Sequence, residues 1–135
     1  MGRKLSVVLI EDSPRDAKQA AQILHKMDIQ SLTIFSHVPA ALMYLEDVVE
    51  GKRSCPDVIV LDLLLGTESG FEVLRYHKAH RELSGIQVVV WTVMGELQQE
   101  LCRYFGVQHI VLKADGDAAL HKVLKTLTAD LSTSV

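Results

Sequence analysis

The chain has 135 residues, 48% of them apolar and 23% charged, with a formal net charge of −3. That length sustains one hydrophobic core without staples, and no polar tract or run of like charge argues for disorder. The weak acidic balance excludes a basic surface for nucleic-acid phosphates. The longest uncharged apolar runs, 58–61 and 86–93, fall far short of the roughly 20 residues that span a bilayer.

Short runs rich in valine and isoleucine alternate with helical spacings, the pattern of β-α units on a parallel sheet. Residues 1–4 form a lead whose two positive charges precede only about six apolar residues and then an acidic pair, which is not a secretory signal. A cytoplasmic protein is expected. The first strand is predicted over 5–10. Ser13 then reads as a helix cap, with Pro14 at the first helical position, Asp16 in the first turn and Ala17, Ala20, Ala21, Leu24 and Met27 on the inner face. Strands follow over 31–35, 57–61, 86–92 and 108–112, and helices over about 39–49, 69–81 and 96–105. A last helix from about 116 carries Leu120, Val123, Leu124, Leu127 and Leu131 on one face. The single domain is thus drawn over 5–131, with 132–135 as a loose tail. Cys55 and Cys102 stand in no ligand spacing and are expected as two reduced thiols. His77 and His80 are expected on the solvated surface. Trp91 is expected to pack.

Ligands of open parallel sheets gather beyond the carboxyl ends of the strands. The residues found there are Glu11, Asp12, Asp62, Thr92 and Lys113. Three acids drawn together need a cation among them. Magnesium suits hard oxygen donors and retains waters that a phosphate can replace. Phosphoryl transfer to a carboxylate needs a nucleophile, a metal for the phosphoryl oxygens and donors where charge develops. Asp62 fits the nucleophile, Asp12 a direct ligand and Glu11 a ligand through water. Lys113 and Thr92 fit the donors.

With these residues in order, the chain resembles the receiver domains of two-component response regulators. The likeness is carried by VVLIEDSP, PDVIVLDLLLGTESG, VVVWT and GVQHIVLK at the first, third, fourth and fifth strands. Gly70 lies eight residues and Thr92 thirty after Asp62, and Lys113 lies seven after Gly106. The resemblance implies an α/β fold: a five-stranded, doubly wound parallel sheet in the flavodoxin-like (CheY-like) order 2-1-3-4-5, with helices on both faces. It implies a single-domain regulator, not a turnover enzyme, that takes a phosphoryl group from a sensor histidine kinase on Asp62 with Mg2+ or Mn2+. The backbone carbonyl of Leu64 would be a further metal ligand. Output would pass to a downstream protein target or a homodimer through the 96–127 face, without direct nucleic-acid or membrane binding. The length before Cys55 and the ADLSTSV end are similar to stand-alone regulators that partner bacterial phytochrome-type kinases.

The chain departs from that family at six places. Gly66 and Ala114 stand where proline is usual, the latter commonly across a cis bond that would cost about 2.5 to 4 kcal/mol before alanine. Val93 is expected to narrow the mouth of the site. Ile110 replaces the aromatic residue that accompanies switching. Leu64 and Met94 cannot orient a hydrolytic water, so self-dephosphorylation should be slow. Two rival functions are an interaction module of the same fold that works without phosphorylation, and a phosphatase of the haloacid dehalogenase type. The second requires an acid two residues after the nucleophile, where Leu64 stands.

Overall fold

The computed structural model describes residues 5–29, 31–93 and 95–133, with backbone alone for 131–133. In chain order it forms β1 (Ser6–Ile10), α1 (Pro14–Lys26), β2 (Ser31–Phe35), α2 (Val38–Val49), β3 (Val58–Leu61), β4 (Leu64–Leu65), β5 (Glu68–Ser69), α3 (Phe71–Ala79), β6 (Gln87–Thr92), α4 (Glu96–Tyr104), β7 (His109–Leu112) and α5 (Asp117–Thr133). Five strands make one sheet in the order β2-β1-β3-β6-β7, and every ladder in it is parallel. This is the 2-1-3-4-5 order that the resemblance implies.

The sheet is sandwiched because its central strands are apolar on both sides. Period-two alternation sends Val7, Leu9, Val58, Val60, Val89 and Trp91 toward α1 and α5, where Ala20, Leu24, Leu120 and Leu124 are buried. The intervening Val8, Ile10, Ile59, Leu61, Val88 and Val90 meet the buried residues of α2, α3 and α4, among them Leu45, Leu74 and Cys102. The central strands β1, β3 and β6 therefore end with their last side chains anchored in two cores. The residues just beyond inherit that rigidity.

The helix starts are made in different ways. At α1 the Ser13 hydroxyl accepts the Asp16 N–H at 3.3 Å and Pro14 occupies the first turn. At α2 the preceding residue gives no side-chain cap, and Glu68 accepts the Val38 N–H at 2.9 Å from across the fold. Glu68 belongs to an antiparallel hairpin, β4–β5, that the apolar periodicity does not reveal, since two-residue strands carry no period. Its turn residue Gly66 has φ +64° at the first of two turn positions, the place where a II′ hairpin takes glycine. Proline, with φ locked near −65°, cannot make this turn, which accounts for its replacement.

Other expectations shift. The helix drawn from 69 starts at Phe71, because 68–69 pair in the hairpin. α5 runs to Thr133, so 132 and 133 are helical where a tail is drawn; 1–4, 134 and 135 lie outside the described residues. His77 and His80 are half-buried, not solvated: His77 Nε2 lies 3.1 Å from the Ile86 carbonyl oxygen, and His80 Nδ1 lies 2.9 Å from that of Tyr76. His80 also stacks on the Tyr76 ring at 4.0 Å. Both cysteines are free thiols, Cys55 exposed and Cys102 buried. No described helix is long and apolar enough to cross a membrane.

Candidate functional site

The strand ends bring Glu11, Asp62, Thr92 and Lys113 into direct contact. The Asp62 N–H donates to the Ile10 carbonyl at 3.0 Å, which carries the β1–β3 ladder one residue further and holds the Asp62 backbone against Glu11. Both carboxylate oxygens of Asp62 are occupied. Oδ1 accepts from the Thr92 hydroxyl at 3.1 Å and from the Leu64 N–H at 3.0 Å, and Oδ2 accepts from Lys113 Nζ at 2.9 Å. Asp62, Thr92 and Glu11 are the polar or charged residues buried in the described structure.

Lys113 reaches this point from the end of β7, in a short 3-10 turn of Lys113–Asp115. The Lys113–Ala114 bond is trans, and the side chain still meets Asp62. Its ammonium also donates to Glu11 Oε1 and to Asp16 Oδ2, each at 2.7 Å. Asp16 is the member the sequence conceals, because an acid in a helix's first turn is explained by the helix dipole alone. Trp91 packs as expected, its ring centroid 5.0 Å from Lys113 Nζ.

Burial pushes Glu11 up to about 7; the Lys113 hydrogen bond works against this rise and the Asp62 charge adds to it. Burial would lower Lys113, but its hydrogen bonds to Asp16, Glu11 and Asp62 outweigh burial and hold it above the ordinary lysine value. Around this one ammonium stand Glu11, Asp16 and Asp62, with Asp12 exposed beside them. Glu11, Asp12 and Asp62 each offer a carboxylate oxygen within 4.8 Å of the others. One lysine does not balance that charge, and an all-oxygen set of this kind fits a hard divalent cation. The Gly70 N–H donates to the Leu63 carbonyl, making Leu63 and Gly70 a hydrogen-bonded pair of the hairpin. By alternation Leu64 and Ser69 are a non-hydrogen-bonded pair, so the Leu64 carbonyl is not taken by the opposite strand.

Gly70 is required by close approach. A Cβ there would lie 2.4 Å from the Asp62 carbonyl oxygen and 2.8 Å from Leu63 Cα. Val93, expected to narrow the mouth, is 64% exposed. Ile110 is half-buried and packs against the α2–α4 core. Met94 lies outside the described residues.

The family model for the response regulator receiver domain matches residues 7–125. The chain belongs to that family. Receiver domains are signalling modules, and solved structures similar to this one are of the same kind. The receiver domain of a DNA-binding response regulator from Colwellia psychrerythraea 34H superposes with a TM-score of 0.79 at 23% identity, covering 93% of this chain and 99% of that one. The Mn2+-bound form of the response regulator Rcp1 gives 0.76 at 27% identity, covering 97% and 96%. The bacteriophytochrome response regulator AtBRR gives 0.74 at 28%, covering 93% of each chain. No protein with a curated description matches the sequence.

Proposed function

We propose that this receiver domain accepts a phosphoryl group on Asp62 from a sensor histidine kinase, in a divalent-cation-dependent reaction, and signals through protein contacts in the cytoplasm. The observation that carries this reading is the saturation of Asp62 by Thr92, the Leu64 N–H and Lys113 beside two further carboxylates. An Asp62 oxygen attacks the phosphorus of a phosphohistidine; the O–P bond forms as the P–N bond breaks, and the imidazole nitrogen keeps the bonding pair. Lys113 and Thr92 then pass their hydrogen bonds to phosphoryl oxygens, where negative charge has moved. A Mg2+ or Mn2+ ion held by Asp12, Asp62, the Leu64 carbonyl and, through water, Glu11 would neutralise those oxygens when bound.

Incubating the protein with a small phosphodonor, with and without Mg2+, tests the proposal by intact mass. One added phosphoryl group is expected with Mg2+ on the wild type and none on Asp62→Asn. Equal uptake by the variant would defeat the assignment. Because Glu11 holds its proton below about 7 in the cation-free protein, Mg2+ should bind more tightly as pH rises through that value. The one tryptophan of the chain, Trp91, lies over Lys113 and provides the emission signal for that titration. An affinity that falls with rising pH would contradict the role of Glu11.

Leu64 is 47% exposed and its side chain is apolar beside Asp62, so that side chain presents no hydrogen-bonding group to an attacking water. The phosphorylated protein should persist for minutes or longer, and a half-life of seconds in purified protein would contradict this. For output, Leu97, Leu101 and Tyr104 line one exposed stripe of α4 at helical spacing, within the 96–127 face proposed for a target or a second copy. Since AtBRR is a bacteriophytochrome response regulator, a phytochrome-type kinase is the first donor to try.

One observation favours a second reading, an interaction module that works without phosphorylation. Ile110 is aliphatic and packs half-buried against the core, so no aromatic swing links Thr92 to the α4 face. Absence of phosphoryl uptake from both a small donor and a kinase panel would favour it.

A further inference from the structure

Lys113 spends all three of its N–H donors on carboxylates, and one of the three has no part in the chemistry above. Glu11 and Asp62 are shared with the proposed cation. Asp16 stands outside the three-acid group, so cation binding makes no claim on it. It comes from another element, the first turn of α1, where the Ser13 cap and Pro14 set the direction of the turn. Its side chain is 22% exposed and meets Lys113 at 2.7 Å, as short as the Glu11 contact.

We propose that Asp16 is a positioning residue for phosphoryl transfer: it anchors the Lys113 ammonium to α1 so that one N–H stays directed at Asp62. The proposal rests on the reading of Asp62 as phosphoryl acceptor. With a cation bound, Glu11 and Asp62 would be shared with it and Lys113 would lose strength in two of its three bonds. Asp16 alone keeps a full carboxylate for it. As the phosphoryl group arrives, the third N–H moves from the Asp62 oxygen to a phosphoryl oxygen, while the Asp16 bond serves as its pivot. The Trp91 ring attracts the ammonium but lends it no comparable direction, because the contact is to a ring face at 5.0 Å.

The test is the rate of uptake from a small phosphodonor at saturating Mg2+ for wild type, Asp16→Ala, Asp16→Glu, Lys113→Ala and the Asp16→Ala/Lys113→Ala double variant. Asp16→Ala is expected to be about tenfold slower, since small misplacements of an aligned group carry losses of this order. Asp16→Glu should recover most of the rate, and Asp16→Ala should add no loss once Lys113 is gone. A wild-type rate in Asp16→Ala, or an equal loss in the Lys113→Ala background, overturns the proposal. The ammonium resonance of Lys113 provides a readout that does not depend on phosphorylation; it should be visible by NMR in the wild type and broadened in Asp16→Ala. Its persistence in the variant also overturns the anchor. A wild type that takes up no phosphoryl group while the resonance behaves as expected defeats the reading of Asp62, and the catalytic meaning of the anchor with it.

Discussion

Lys113→Ala will slow phosphoryl uptake by about a hundredfold or more and destabilise the cation-free protein by about 3 kcal/mol. The first effect follows from the loss of a charged donor at the Asp62 oxygen where phosphoryl charge would develop. The second arises because Glu11, Asp16 and Asp62 lose their shared cation while still enclosed. It falls at the low end for a broken buried pair, since Glu11 can respond by keeping a proton. Mg2+ should restore part of the stability and little of the rate. Lys113→Arg is not a rescue: a planar fork does not reproduce three bonds radiating from one nitrogen. Urea unfolding with and without Mg2+, together with uptake rates, checks both parts; a fast and stable Lys113→Ala would remove Lys113 from the account.

Gly70→Ala carries the other large effect. The new methyl would overlap the Asp62 carbonyl oxygen at 2.4 Å and Leu63 Cα at 2.8 Å, and both are backbone atoms between a central strand and the hairpin. Neither can yield as a side-chain tip would. Overpacking of this kind costs typically about 1 to 3 kcal/mol, and the upper end is expected here. Uptake should fall as well, because the backbone that moves is that of Asp62. Gly66→Ala offers a contrast in mechanism. Its Cβ would lie an ordinary 3.5 Å from Asp12 Oδ2, but φ +64° imposes about 1 to 2 kcal/mol on any L side chain. Gly70→Ala should therefore be the more damaging of the two in urea unfolding and in uptake, and the reverse order would contradict the packing argument.

These two glycines also mark what the linear sequence does and does not disclose. The five main strands were legible because each is a short run rich in apolar and β-branched residues that stops at a polar one. The strand order follows from the family resemblance, and the parallel ladders agree with it. Glu11, Asp62, Thr92 and Lys113 were legible because residues just past parallel strands share one edge of the sheet. The β4–β5 hairpin was not, since Leu64–Leu65 and Glu68–Ser69 are too short to show a period and Gly66 looks like a missing proline. Asp16 was hidden for a different reason. Its contact with Lys113 spans 97 positions, and only the cap geometry of α1 turns it toward the site. His77 and His80 similarly carry no motif, and their backbone partners exist only in the folded chain.

The central claim is that Asp62, among several neighbouring carboxylates, is the one that becomes an acyl phosphate. Borohydride reduction of phosphodonor-treated protein converts such an aspartate to homoserine, and peptide mapping locates it. Conversion at position 62 alone, dependent on Mg2+, is the predicted result. Conversion at Glu11, Asp12 or Asp16, or none at all under saturating donor, would contradict it.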